Sequence, residues 1–144
     1  MQFTFSNIAK SIIEIITAFM IMLFVYTGVS KLITQEIFYK QVSRAPVIGQ
    51  YAHWIIWIIP ISELLIAALL VFKITRLAGY YAFAFLMVLF TLYIAAILLS
   101  GSPLPCSCGG IIQQLTWQQH LVFNGCFIVL NIAAILLHYK TVKI

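Results

Sequence analysis

The stretch 52-AHWIIWIIPISELLIAALLVF-72 decides the fold. It is dominated by apolar side chains from end to end, and its length matches the roughly 20 residues, at about 1.5 Å rise each, that one helical crossing of a bilayer requires. Three further runs of the same kind lie around it, from about Ile12 to Ile33, from about Leu77 to Leu99 and from about Trp117 to Leu137. Of the 144 residues 64% are hydrophobic and only 8% charged, with a mean hydropathy of +1.11. Soluble domains carry roughly a quarter charged residues, so a water-soluble core of this size is excluded. Four spans with short connections use up the length and leave no room for a soluble domain. The expected architecture is therefore an all-α membrane protein, an antiparallel four-transmembrane-helix bundle forming one domain over residues 1–144. The first run is too long for the apolar region of a signal peptide, starts with Lys10 and Glu14, and ends without an A-x-A-like site, so it is expected to stay as an anchor.

The connections are a polar stretch from Thr34 to Tyr51, a tight basic turn from Lys73 to Arg76, and a Ser-Pro-Gly-Cys segment from Ser100 to Gly110 that leads through Ile111 to Thr116. The formal net charge of +5 does not point to nucleic acid, because the eight Lys and Arg residues are scattered at span ends rather than clustered. They read as topological. Lys10, Lys73, Arg76, Lys140 and Lys143 fall on one side, against Lys31, Lys40 and Arg44, diluted by Glu36, on the other. The basic bias predicts both termini in the cytoplasm. Trp54, Trp57 and Trp117 then fall near the outer interface and Tyr80, Tyr81 and Tyr139 near the inner one, as amphipathic rings should.

On that topology the segment 105-PCSCGG-110 faces the periplasm or cell exterior, where disulfides form and persist. A bond closed across one residue, between Cys106 and Cys108, makes a small ring, and departures from relaxed disulfide geometry make a bond more reducible. Such a pair suits exchange better than structure. Two reduced thiols in a loop, or half of a metal site, are the competing readings. His53 and His120 have the residue types to complete a Cys₂His₂ set, but the spacing matches no short zinc pattern, and no metal is expected. Cys126, about 14 Å along the fourth span from Trp117, reads as a small buried hydrophobe.

Within the spans, Glu63 lies at a depth where a carboxylate marks a functional site or a paired structural one. Lys31 is its partner by sign, although it would have to reach inward, and a structural ion pair and a proton-handling site both remain open. Pro60 is expected to kink the second span and free the carbonyl of Ile56. In the fourth span His120, Asn124 and Asn131 share one helical face. The asparagines suit interhelical hydrogen bonds, and the sharper alternative is a quinone headgroup contact at His120 and Asn124.

Gly28-x-x-Lys31, Pro60-x-x-Glu63-Leu64-Leu65 and Cys106-Ser107-Cys108-Gly109-Gly110, in that order, resemble the MauE family of redox-associated membrane proteins, related to DoxX-like proteins. The resemblance covers nearly the whole chain and rests on the joint occurrence of short motifs. It implies a four-helix protein of the bacterial inner (cytoplasmic) membrane, associated in the namesake case with methylamine utilisation and disulfide formation in a periplasmic dehydrogenase subunit. Carried onto this chain, it points to Cys106 and Cys108 as a redox pair and to Lys31 and Glu63 as family positions. Where the family commonly reads C-G-C-F-G, Ser107 stands between these cysteines and Gly109 replaces the aromatic residue. The expected function is a membrane thiol-disulfide oxidoreductase or its membrane subunit, exchanging disulfides with a separate periplasmic thioredoxin-like or disulfide-containing protein and linked to a quinone. The alternatives are a non-catalytic membrane assembly subunit and a small ion-coupled transporter using Glu63 and Lys31.

Overall fold

The computed structural model of the chain describes residues 2–101 and 116–142. These form α1 (Gln2–Ile33), α2 (Gln35–Ser43), a single 3₁₀ turn (Gly49–Tyr51), α3 (Ala52–Val71), α4 (Arg76–Ser100) and α5 (Trp117–Val142), and no strand occurs among them. Four segments are long and apolar enough to cross a membrane: Asn7–Ile33, Gly49–Val71, Arg76–Ser100 and Trp117–Thr141. The protein is thus an all-α, multi-pass membrane bundle with the predicted spans. The first helix starts about ten residues before the predicted span, because the polar stretch around Asn7, Lys10 and Ser11 continues the helix past its apolar part, with Ser11 donating to the Asn7 carbonyl at 3.1 Å.

α1 and α4 each pack against both α3 and α5, so the four long helices form a ring in which α1 faces α4 across the diagonal. The centre is filled from both sides of that diagonal. Phe24 stacks on Phe83 with ring centroids 4.3 Å apart, and Met20, Leu70, Tyr80 and Ala134 close around them. This apolar core occupies the half of the bundle nearest Arg76, here called the basic end. The other end gathers Ile33, Ala52, Ser100 and Trp117 and carries the connection that holds Cys106 and Cys108.

The polar stretch from Thr34 to Tyr51 is largely helical rather than an open connection. Phe38 and Val42, four residues apart, share one face of α2 and bury against Ala52 and Ile56 of α3, while Ile37 and Tyr39 face outward. Tyr80 also departs from expectation. It is wholly buried at 0% exposure instead of lying in an interfacial belt, because its hydroxyl reaches Thr17 on α1 at 2.7 Å. Tyr81 and Tyr139 do lie on the outer surface of the basic end, with their hydroxyls 3.2 Å apart.

Helices associate in lipid through close packing and polar contacts, without the hydrophobic drive available in water. The packing is close where α1 meets α3, and closer still where Gly79 of α4 meets Leu70 of α3, 2.9 Å from an added Cβ. A Cβ added at Gly28 would lie 3.1 Å from Leu64 Cγ and 3.2 Å from the Pro60 carbonyl oxygen, so the backbones approach as near as a bare glycine allows. α4 ends at Gly101 in the left-handed conformation, φ 65°. α5 begins with a reciprocal cap, in which the Thr116 amide donates to Gln119 Oε1 at 2.9 Å and the Gln119 amide donates to Thr116 Oγ1 at 3.3 Å.

Replacing Gly28 by Val is expected to lower the stability of the detergent-solubilised protein by about 1–3 kcal/mol through overpacking, with Gly28→Ala milder. Thermal unfolding followed by circular dichroism measures the difference.

Candidate functional site

The interior of the bundle changes character along its length. Towards the basic end an apolar core surrounds a few polar groups, Thr17, Tyr80 and Asn131; towards the other end the interior holds Thr27, Lys31, Glu63, His120 and Asn124, all buried.

Lys31 and Glu63 form the centre of this polar half. Lys31 Nζ donates to both carboxylate oxygens of Glu63, at 2.7 Å to Oε1 and 2.9 Å to Oε2. The two residues are 5% and 2% exposed, so the pair is shielded from bulk solvent and from lipid. The difference in depth is bridged by a geometric property of helices. Each Cα–Cβ bond leans towards its helix N-terminus. In the antiparallel helices α1 and α3, Lys31 therefore leans inward and Glu63 leans outward, towards each other. The register comes from the contact one turn away, where Gly28 rests on the Pro60 carbonyl and Leu64. Gly28-x-x-Lys31 and Pro60-x-x-Glu63 are thus two halves of one helix-helix junction.

α5 turns the predicted face inward. His120, Asn124 and Asn131 are buried, at 5%, 8% and 0% exposure. Asn131 Nδ2 donates to the Tyr80 carbonyl on α4 at 2.9 Å, as an interhelical asparagine should. His120 lies one turn inside the start of α5 with its ring edge-on to Trp117 at 5.9 Å, and its buried Nδ1 has no hydrogen-bond partner among the described residues. A buried imidazole nitrogen left open in this way can accept or donate a proton to a group that enters beside it.

Cys106 and Cys108, the predicted redox pair, lie outside the described residues. In the sequence they fall between α4 and α5. Cys126 is exposed on the side of α5, not buried as predicted, since the packed face carries His120 and Asn124 and the bond two residues past Asn124 points away from it. His53 is also exposed, next to Trp54. Among the described residues no three of His, Cys, Asp and Glu gather closely enough to hold a metal ion.

A second ion pair went unread in the sequence. Arg76, at the start of α4, donates from Nη1 to Glu14 Oε1 on α1 at 2.7 Å and from Nε to the Leu70 carbonyl at 3.1 Å. Arg76 had been taken as a topological charge and Glu14 as part of the span start. The signal was available: an antiparallel bundle brings the start of α1 and the turn before α4 to one end, and Glu14 is one of only three acidic residues in the chain.

The fold and these residues define a polytopic membrane protein of four long helices with a buried lysine-glutamate junction. The family model for methylamine utilisation protein MauE matches residues 9–138, and the chain belongs to that family. Comparison with curated proteins and with solved structures gave no match.

Removing one member of a buried pair leaves the other charge uncompensated, at a cost of about 3–5 kcal/mol. Glu63→Gln and Lys31→Met should each lower the thermal midpoint markedly in detergent. Lys31→Met combined with Glu63→Leu should recover much of the loss, because an apolar pair leaves no buried charge.

Proposed function

We propose that this chain is the membrane component of a thiol-disulfide exchange system in the bacterial inner membrane, with both termini cytoplasmic and the C-x-C connection on the periplasmic face. The observation that carries the reading is the pair Cys106 and Cys108, one residue apart, in the connection that joins α4 to α5 of a MauE family bundle. The distribution of basic residues supports the sidedness: Lys10, Lys73, Arg76 and Lys140 lie at the end opposite this connection.

In the forward direction, a thiolate of a periplasmic thioredoxin-like or disulfide-containing partner attacks one sulfur of the Cys106–Cys108 disulfide. The S–S bond breaks, a mixed disulfide forms, and the other cysteine leaves as a thiolate. The partner's second thiolate then displaces the chain's cysteine from the mixed disulfide. The partner is oxidised by two electrons, and Cys106 and Cys108 are left reduced, taking up the two protons the partner has lost. The reverse sequence uses the same residues and reduces the partner.

Renewal of the disulfide requires an acceptor of two electrons and two protons, and a quinone of the membrane is the class of molecule that supplies this when bound. The open Nδ1 of buried His120 and the neighbouring Asn124 suit its carbonyl oxygen. His120 also has the chemistry to take a proton from a cysteine thiol, so that the nucleophilic thiolate is available near neutral pH. The closed pair of Lys31 and Glu63 supports a structural role for these two residues: a carboxylate held by an ammonium at 2.7 and 2.9 Å is already neutralised.

Differential alkylation in intact cells with a membrane-impermeant maleimide provides the test. Labelling of Cys106 and Cys108 is expected only after reduction of the cells, with Cys126 unlabelled throughout. Cys106→Ser or Cys108→Ser should accumulate a mixed disulfide with a partner or abolish exchange, whereas His120→Ala should slow turnover without preventing mixed-disulfide formation. Full activity with both cysteines replaced would assign the chain to an assembly role instead. Loss of activity in Glu63→Gln with folding intact and the cysteine variants active would favour ion coupling.

A further inference from the structure

At the basic end, a cavity of about 630 Å³ opens between α1, the turn before α4 and the end of α5. This volume is typical of small-ligand sites, which run from roughly 300 to 1,000 Å³. Its charged lining consists of Lys10, Lys73 and Arg76 against a single carboxylate, Glu14. His138 and the Thr141 and Ser11 hydroxyl groups complete the polar wall.

The charges in this cavity do not cancel. Glu14 is engaged by Arg76 at 2.7 Å, which accounts for one cation. The chain has only two other acidic side chains: Glu63 is closed on Lys31, and Glu36 lies in α2 at the opposite end of the bundle. Glu14 is therefore the one side-chain carboxylate at this end set against Lys10, Lys73 and Arg76. The Arg76 guanidinium is also held in place from two sides, by Glu14 and by the Leu70 carbonyl. Three cations around one carboxylate, one of them a guanidinium held in place, leave a net positive site of the kind that recognises a phosphate.

Depth and surface character narrow the source. Lys10 lies 21 residues before Lys31, about 31 Å along α1, close to the thickness of a bilayer's hydrocarbon layer. The cavity therefore sits at headgroup level. Ile15 lines it and is exposed, and Ile15, Phe19 and Met22 continue along one exposed stripe of α1 away from the cavity. Such a stripe offers an acyl chain an apolar track from the charged site.

We infer that this cavity binds a phosphate group, carried by an anionic phospholipid headgroup or by a small soluble phosphate. The site is separate from the cysteine connection, at the other end of the bundle, and does not depend on the thiol chemistry.

Native mass spectrometry of the full-length protein released from neutral detergent micelles tests this, with dioleoylphosphatidylglycerol, dioleoylphosphatidylcholine and inorganic phosphate added in separate arms. Preferential retention of phosphatidylglycerol over phosphatidylcholine is expected, with affinity falling about five-fold for each of Lys10→Gln and Lys73→Gln. Lys140→Gln, at the same end but outside the cavity, should leave it unchanged. Because neither Lys10 nor Lys73 belongs to the two ion pairs above, helicity and thermal midpoint should survive these changes. The lipid preference of the unaltered protein gives a readout independent of the variants. Retention of inorganic phosphate that is lost in Lys10→Gln, with no preference between the two lipids, would identify a soluble phosphate as the occupant. Equal binding of both lipids and no retained phosphate, or equal losses in Lys140→Gln and Lys10→Gln, would overturn the inference.

Discussion

A lysine and a glutamate buried together inside an apolar bundle hold α1 and α3 in one register. Each charge alone would be expensive at that depth, and each is made tolerable only by the other. Because Lys31 donates to both oxygens of Glu63, sliding one helix past the other by a turn would leave an ammonium and a carboxylate unpaired in the interior. Gly28 makes the same demand sterically, since the Pro60 carbonyl and Leu64 would crowd a side chain there. The polar and the steric constraint are set one turn apart and agree.

The remaining helices are joined by polar contacts of their own, nearer the basic end. Arg76 ties α4 to α1 through Glu14, Tyr80 ties it again through Thr17, and Asn131 of α5 donates to the carbonyl of the same Tyr80. These bonds lie across an interior in which Phe24 and Phe83 stack over the diagonal. In lipid, where apolar side chains gain little by leaving one apolar neighbour for another, such contacts choose among packings that dispersion alone would leave nearly equal.

The two ends of the bundle are built for different surroundings. Among the described residues, one end has a polar interior in which Lys31, Glu63, His120 and Asn124 are buried; the other carries an excess of positive charge around a cavity. Membership of the MauE family places the whole arrangement, from residue 9 to residue 138, in one lineage of membrane proteins.

Composition and pattern by themselves determined the class of protein, the number of crossings and the buried face of α5, because a bilayer demands long apolar runs and penalises polar groups that do not face inward. The start of α5 at Trp117 was legible, whereas its end lay five residues beyond the expected Leu137, and the helix from Gln35 to Ser43 was not legible, since nine residues with two apolar anchors give too short a pattern to separate from a loop. Only the tertiary structure decided that Lys31 meets Glu63, that Arg76 meets Glu14, and that Tyr80 is interior while Tyr81 is not. Those outcomes depend on the relative height and rotation of helices far apart in the chain. A run of apolar residues states that a helix crosses; it carries almost no information about which side chain on a neighbouring helix will be found at the same depth.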